Sequence, residues 1–157
     1  MTLARLIFGA VGWLALTFAA AWLGSRFLPD AWYRDLNKPS WNPPNWIFAP
    51  VWSILYLLMA LAAWLVWKQY GWTGALFPLV LFVVQLLLNA AWTWTFFGLH
   101  RPDLALGDIV ILWAGILVTL LLFWRLVPLA GILLLPYLAW VSFATALTWK
   151  IWQLNKM

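Results

Sequence analysis

The sequence predicts an all-α integral membrane protein, a single bundle of five transmembrane helices with an aromatic, proline-rich loop between the first helix and the second. Three observations predict it. The chain of 157 residues is 67% hydrophobic and 8% charged, where a soluble domain carries about 25% charged residues to keep its surface in water. Five apolar runs stand out, at about residues 6–25, 46–67, 75–97, 104–124 and 130–149, each near the ~20 residues that a helix needs to cross the hydrocarbon core. The nine Lys and Arg and the four Asp fall almost entirely between those runs. No water reaches backbone groups in hydrocarbon, so each run must satisfy its own N–H and C=O groups, as a helix does.

One transmembrane domain, residues 1–157, accommodates all five runs. The first run imitates a signal peptide, with Arg5 ahead of it and Ala19-Ala20-Ala21 near its end. Its length, and glycines 9, 12 and 24, which suit close helix contact, favour a transmembrane helix instead. An odd number of spans puts the termini on opposite sides. The loop at 26–45, the turn at 100–103 and the C-terminus then share one side, with Arg26, Arg34, Lys38, Arg101, Lys150 and Lys156. Arg5, Lys68 and Arg125 lie on the other. That excess predicts the first loop and the C-terminus on the cytoplasmic face, in a bacterial cell membrane. Short connections around 68–74 and 125–129 predict antiparallel neighbours: the second helix beside the third, and the fourth beside the fifth.

The basic residues occur singly and form no stripe, which excludes a nucleic-acid surface. The absence of cysteine excludes disulfide and thiolate chemistry. Sixteen tryptophans exceed what an interfacial belt needs, so some must line the interior. The first loop, with Trp32, Tyr33, Trp41 and prolines 39, 43 and 44, reads as a folded lid: proline lowers the entropy cost of ordering it, and the aromatics give it surface to bury.

Side chains at i, i+3/i+4 and i+7 share a helix face. On this spacing the second helix carries a stripe of Trp52, Tyr56, Met59 and Ala63, the third one of Gln85, Asn89, Trp92 and Phe96, and the fifth one of Tyr137, Trp140, Ala144 and Leu147 or Thr148. Amides avoid hydrocarbon, so the Gln85–Asn89 face points inward. The stripes read either as packing faces or as the walls of an aromatic small-molecule pocket. Asp108, about one turn inside the fourth helix, reads as a proton or cation group, or as an interfacial acid paired with Arg101 or placed at the helix N-terminus. His100 and Asp103 are too few to hold a metal, and no catalytic set is visible. Pro50, Pro78 and Pro136 fall inside helices, where each would remove a hydrogen bond and favour a kink.

The order of motifs resembles the TspO/MBR family (translocator protein, tryptophan-rich sensory protein, peripheral-type benzodiazepine receptor). The resemblance runs through Trp32-Tyr33, Leu36-Asn37-Lys38-Pro39, Trp41-Asn42-Pro43-Pro44 and Trp46-Ile47-Phe48, then Pro50, Trp52 and Tyr56. It continues with Asn89, Trp92, Phe96-Phe97-Gly98 and Pro136-Tyr137-Leu138 with Trp140. It implies a five-helix bundle, usually a homodimer, that binds porphyrins (protoporphyrin IX, haem) and hydrophobic drug-like molecules under the first loop. Porphyrin or haem is then a ligand; no cofactor, metal or catalytic residue is expected. Carried over position by position, the ligand-binding residues are Tyr33, Pro43, Trp52, Tyr56, Asn89, Trp92, Trp140 and Ala144. Arg34 and Lys38 are placed to meet ring carboxylates, and Asn89 or Gln85 to orient a polar edge. Animal members carry a cholesterol motif late in the last helix, but Trp149 here replaces its tyrosine, so strong cholesterol recognition is not expected. The expected function is a membrane receptor or transporter for flat apolar ligands. The alternatives are a light-dependent porphyrin-oxidising enzyme, and a scaffold or sensor acting through a partner, with Ala20 and Gly24 allowing a dimer contact.

Overall fold

The computed structural model describes residues 1–156. Helix α1 spans Leu3–Ser25 and starts at Thr2, whose hydroxyl accepts from the Arg5 N–H at 3.3 Å. The loop after it contains a short helix, α2 (Ala31–Asp35), and a 3₁₀ turn (Asn45–Ile47) that leads into α3 (Phe48–Gly74). Helix α4 (Leu76–Thr93) ends in a π-helical turn (Trp94–Gly98), and α5 (Pro102–Leu126) and α6 (Pro128–Asn155) follow. Among the described residues five helices are long and apolar enough to cross a membrane: α1, α3 with its 3₁₀ turn, α4 with its π turn, α5 and α6. The protein is an integral, multi-pass membrane protein.

The helices outrun the apolar segments. Helix α3 continues past residue 67 through Lys68 and Gln69, breaks at Gly71 (φ 66°) and ends at Gly74. Helix α6 continues past 149 through Lys150 and Gln153 to Asn155. Lys and Gln are good helix formers, so the hydrogen-bonded ladder carries on into water after the hydropathy signal has stopped.

Around the bundle the order is α1, α3, α6, α5, α4 and back to α1. Helices α5 and α6, joined at Val127, pack along their length, as the short connection requires. Helices α3 and α4 depart from expectation. They are joined through Ala75, yet α1 occupies most of the space between them, with Trp13 5.5 Å from Trp72 and edge-on to Phe82 at 5.7 Å. Small residues let α1 in: Gly9 sits against the Trp67 ring, and Gly24 lies against Thr93. The Ala20–Gly24 pair is therefore buried inside the chain and is not offered to a second copy.

Two of the three helix prolines do not interrupt a helix. Pro50 and Pro78 are the third residues of α3 and α4, in the first turn, where an N–H has no partner to lose. Pro136 alone lies within a helix, α6.

Helices α1 and α3 are joined on the face away from the lid, where the Trp64 indole N–H donates to the Leu6 carbonyl at 3.0 Å and Arg5 lies over the Trp67 ring. A methyl added at Gly9 would stand 2.0 Å from that ring, whereas one added at Gly12 would meet nothing within 4 Å. Gly9→Ala is expected to lower stability by about 1–3 kcal/mol, the usual range for overpacking. Gly12→Ala should leave it unchanged or slightly raised, thermal unfolding in detergent being the measurement.

Candidate ligand-binding cavity

The stripes on α3, α4 and α6 converge on the bundle axis and then divide by depth. Away from the lid they make a packed floor; towards it they line a cavity. The floor holds a chain of buried hydrogen bonds. Tyr56 Oη donates to Asn89 Oδ1 at 2.7 Å, Asn89 Nδ2 donates to Tyr137 Oη at 2.8 Å, and Tyr137 Oη donates to Gln85 Oε1 at 2.7 Å. The remaining Gln85 amide N–H faces the Met59 sulfur at 4.0 Å. Met59, Ala63, Gln85 and Tyr137 are buried in this floor and do not border the cavity. Gln85 is thus not available to a ligand, contrary to expectation, because its acceptor is taken by Tyr137.

Above the floor lies a cavity of about 500 Å³. Trp52 and Tyr56 of α3, Asn89 and Trp92 of α4, and Trp140 and Ala144 of α6 border it, with Tyr33 of the lid above. Seven of the eight positions carried over from the resemblance therefore surround one space. Pro43 does not. After Tyr33 the lid runs extended through Pro44 (φ −65°, ψ 146°) and returns to the lining at Asn45. Pro43 is left half-buried behind it, its carbonyl accepting from Asn42 Nδ2 at 3.3 Å.

Aromatic contacts set the walls. Trp92 stacks on Phe96 at 5.4 Å, Trp52 leans on Tyr56 at 5.6 Å, and Trp140 stands between Phe48 at 6.0 Å and Phe143 at 5.6 Å. The indole N–H groups of Trp92 and Trp140 have no hydrogen-bond partner. Phe96, Leu147 and Thr148 of the stripes also line it, and further lining comes from places the stripes did not mark, among them Ala21 and Gly24 of α1, Phe27 and Leu28 just after it, and Phe143 of α6. Phe143 was within reach of spacing arguments, being three residues from Trp140 and four from Leu147. The α1 contribution, Ala21, Gly24 and Ser25, carried no aromatic signal.

The lid is folded and tied at both ends to the bundle. Asp30 caps α2 by accepting from the Tyr33 N–H at 3.2 Å, and Tyr33 is buried edge-on to Phe96 and Phe97. Burial raises the pKa of the Tyr33 phenol, so it stays neutral. Asn155 at the end of α6 holds the Asn37 backbone from both sides, accepting its N–H at 3.0 Å and donating to its carbonyl at 2.8 Å. The lid, the turn at 100–103 and the C-terminal end of α6 are thereby on one side, as an odd number of spans demands.

Three charged residues differ from expectation. Lys38 Nζ is engaged by the carbonyls of Arg34 and Leu36, at 3.2 and 3.1 Å, and lies over the Tyr33 ring, so it fastens the lid. Arg101 forms a two-pronged pair with Asp103, at 2.8 and 2.6 Å, and not with Asp108. Asp108 is the seventh residue of α5, deeper than the apolar run suggested, with one carboxylate oxygen buried and unpartnered.

Comparison with known proteins matches residues 13–153 to the TspO/MBR family. The chain is 45% identical over 149 residues to the tryptophan-rich protein TspO of Chlorobaculum tepidum, covering 90% of this chain and 92% of the relative. It is 39% identical over 151 residues to the human translocator protein, covering 93% and 89%. It is 41% identical over 142 residues to the tryptophan-rich sensory protein of Cereibacter sphaeroides, covering 90% and 88%. The chain belongs to the TspO/MBR family. In this TspO/MBR protein the matched segment begins at Trp13, inside α1, and ends at Gln153, inside α6, so it covers the lid, the cavity and the buried hydrogen-bond chain.

Tyr137→Phe would leave Gln85 Oε1 and Asn89 Nδ2 without their partner. The expected loss is about 1–2 kcal/mol, between the value of one interhelical hydrogen bond in a membrane protein and the cost of an unsatisfied buried group. Thermal unfolding reads it, with Trp113→Phe, which removes a bond to Ser142 at an exposed α5–α6 contact, as the mild comparison.

Proposed function

We propose that the cavity binds flat, apolar aromatic molecules, tetrapyrroles such as protoporphyrin IX and haem foremost, and that the protein acts as a membrane receptor for them. The observation that carries this is the cavity itself, about 500 Å³ with indole walls on three helices. That volume lies within the range of small-molecule sites, and the lining has their form, mostly apolar with a few polar groups. Faces of Trp52, Trp92 and Trp140 offer stacking surface to a planar ring. Asn89, which borders the cavity and has one amide N–H left over from the buried chain, supplies the polar contact that orients it. Of the two basic groups expected to meet ring carboxylates, Lys38 is committed, which leaves Arg34, and Arg26, flanked by the lining residues Ser25 and Phe27, is a second partner for them. Relatives carry the names translocator protein and tryptophan-rich sensory protein, which accord with a ligand-responsive membrane protein. In the same proposal the lid faces the cytoplasm, following the excess of basic residues on its side. The homodimer that the family resemblance implies forms on faces other than the Ala20–Gly24 pair.

A second reading has one observation in its favour: three oxidisable indoles border the same space, which suits a light-dependent porphyrin oxidation. Illuminating the complex in air and under nitrogen separates the two readings. A binding protein leaves the porphyrin spectrum unchanged apart from bleaching seen equally with free pigment, whereas an enzyme gives an oxygen-dependent product that Trp140→Phe suppresses.

Titration of the purified protein with protoporphyrin IX, followed by the Soret band and Trp fluorescence, tests the binding reading. Saturable binding in the micromolar range is expected. Ala144→Phe, which fills the cavity, should weaken it at least tenfold with helicity and melting temperature retained. Equal binding by both proteins would remove the cavity from the site.

A further inference from the structure

Two ties hold the lid, one between the Asn155 amide and the Asn37 backbone and one that sets the His100 imidazole against the Asp30 carboxylate. His100 lies in the turn between the π-helical end of α4 and α5, with a left-handed backbone (φ 55°). The turn is pinned on both sides, by Leu99 N–H to the Trp94 carbonyl at 2.8 Å and Arg101 N–H to the Thr95 carbonyl at 3.0 Å. The imidazole is thus presented to the lid from a firm base. Its Nε2 is 2.9 Å from Asp30 Oδ2, and its ring stacks on Trp32 at 4.4 Å and 16°. Asp30 uses both oxygens, one to start α2 and one to hold His100. Trp32 is held edge-on by Phe96, a lining residue, and the next residue is Tyr33, which roofs the cavity.

We propose that His100, Asp30 and Trp32 form a proton-responsive latch that sets how firmly the lid is closed, protonation of His100 tightening it. The consequence for ligand release rests on the function proposed above, but the latch is a property of the lid alone. A neutral imidazole makes one hydrogen bond to Asp30. An imidazolium makes a charge-assisted bond to a carboxylate and places a cation on the Trp32 face. The Tyr33 N–H, and after it His100, hold the Asp30 carboxyl below the usual range, so Asp30 stays anionic and ready to receive a protonated imidazole. Both contacts therefore strengthen as pH falls. Among the described residues the neighbouring charges do not compete for this pair. Arg101 is taken by Asp103, Lys38 by lid carbonyls, and Lys156 lies over Trp152. Arg34 and Asp35 on α2, and Lys150 on α6, form no ion pair with it. The exposure of the two side chains, 40% for His100 and 45% for Asp30, limits the gain to about two- to fivefold in the closed-to-open ratio.

The chain has no cysteine, so Ser40→Cys in the lid gives a single attachment point for a trifluoromethyl label. Fluorine NMR of the ligand-free full chain then reads the lid from pH 5 to pH 8. The closed-to-open ratio is expected to fall about two- to fivefold over that interval as pH rises. His100→Asn, which keeps a residue tolerant of the left-handed backbone, should make the ratio independent of pH. Asp30→Asn, which keeps the helix cap, should reduce the response. Release of protoporphyrin IX should quicken with pH by a similar factor in the wild type only. A lid signal that does not change with pH, or an equal response in His100→Asn, overturns the latch. A pH-responsive lid on a protein that fails to bind protoporphyrin IX leaves the latch standing and removes the ligand reading.

Discussion

In hydrocarbon, apolar side chains gain nothing by leaving lipid for each other, so what brings membrane helices into one arrangement is packing and the mutual satisfaction of polar groups. The run of hydrogen bonds from Tyr56 through Asn89 and Tyr137 to Gln85 is the constraint on which the rest of this structure depends. It links α3, α4 and α6 at the axis, although α3 and α4 are otherwise held apart by α1. Each bond fixes the rotation and the depth of two helices, because a donor one turn too high or too low would be left alone in a place without water. The Gln85 amide completes the chain by turning its oxygen to Tyr137 and its nitrogen to the Met59 sulfur, and a reversed amide would set oxygen against sulfur. The direction of the whole chain follows.

The cavity is what remains between that floor and the lid. Below, Met59, Ala63, Phe82 and Ile116 pack to completion. Above, the side chains facing the axis are indoles and phenyl rings too rigid to close the gap they surround, and α1 contributes only the small residues Ala21, Gly24 and Ser25. The lid closes the top without filling it, since its buried side chain, Tyr33, is anchored to Phe96 and Phe97 on one wall. A space of this kind persists because its roof and floor are each held by polar bonds that do not depend on anything inside it. The tryptophans divide accordingly. Trp52, Trp92 and Trp140 border the cavity, Trp13 and Trp67 pack in the core, and others such as Trp22, Trp46 and Trp149 are exposed at the bundle surface.

Much of this was legible in the residues. Five spans follow from hydrophobic length, and the inward faces of α3, α4 and α6 follow from the helical period together with the rule that Gln85 and Asn89 cannot face lipid. The excess of tryptophan correctly pointed inward for some of them. The motif order identified the family, and with it seven lining positions. The helix ends were misjudged because Lys68 and Lys150 stop a hydropathy plot without stopping a helix. Pro50 and Pro78 read as kinks only while the true starts of α3 and α4 were unknown.

What the sequence by itself determined is how many helices span the membrane, which azimuth of α3, α4 and α6 turns inward, and which loops share a side. Periodicity reports azimuth and carries no information on depth or on which neighbour lies opposite. Tertiary structure alone decided that Gln85 and Tyr137 belong to the floor while Asn89 and Trp140 border the cavity. It alone placed α1 between α3 and α4, left Pro43 behind the lining, and turned Ala20 and Gly24 inward. The lid's partners were equally hidden, since Asn37 meets Asn155 and Asp30 meets His100 across 118 and 70 residues. Such contacts depend on where packed helices carry their ends, and no local pattern records that.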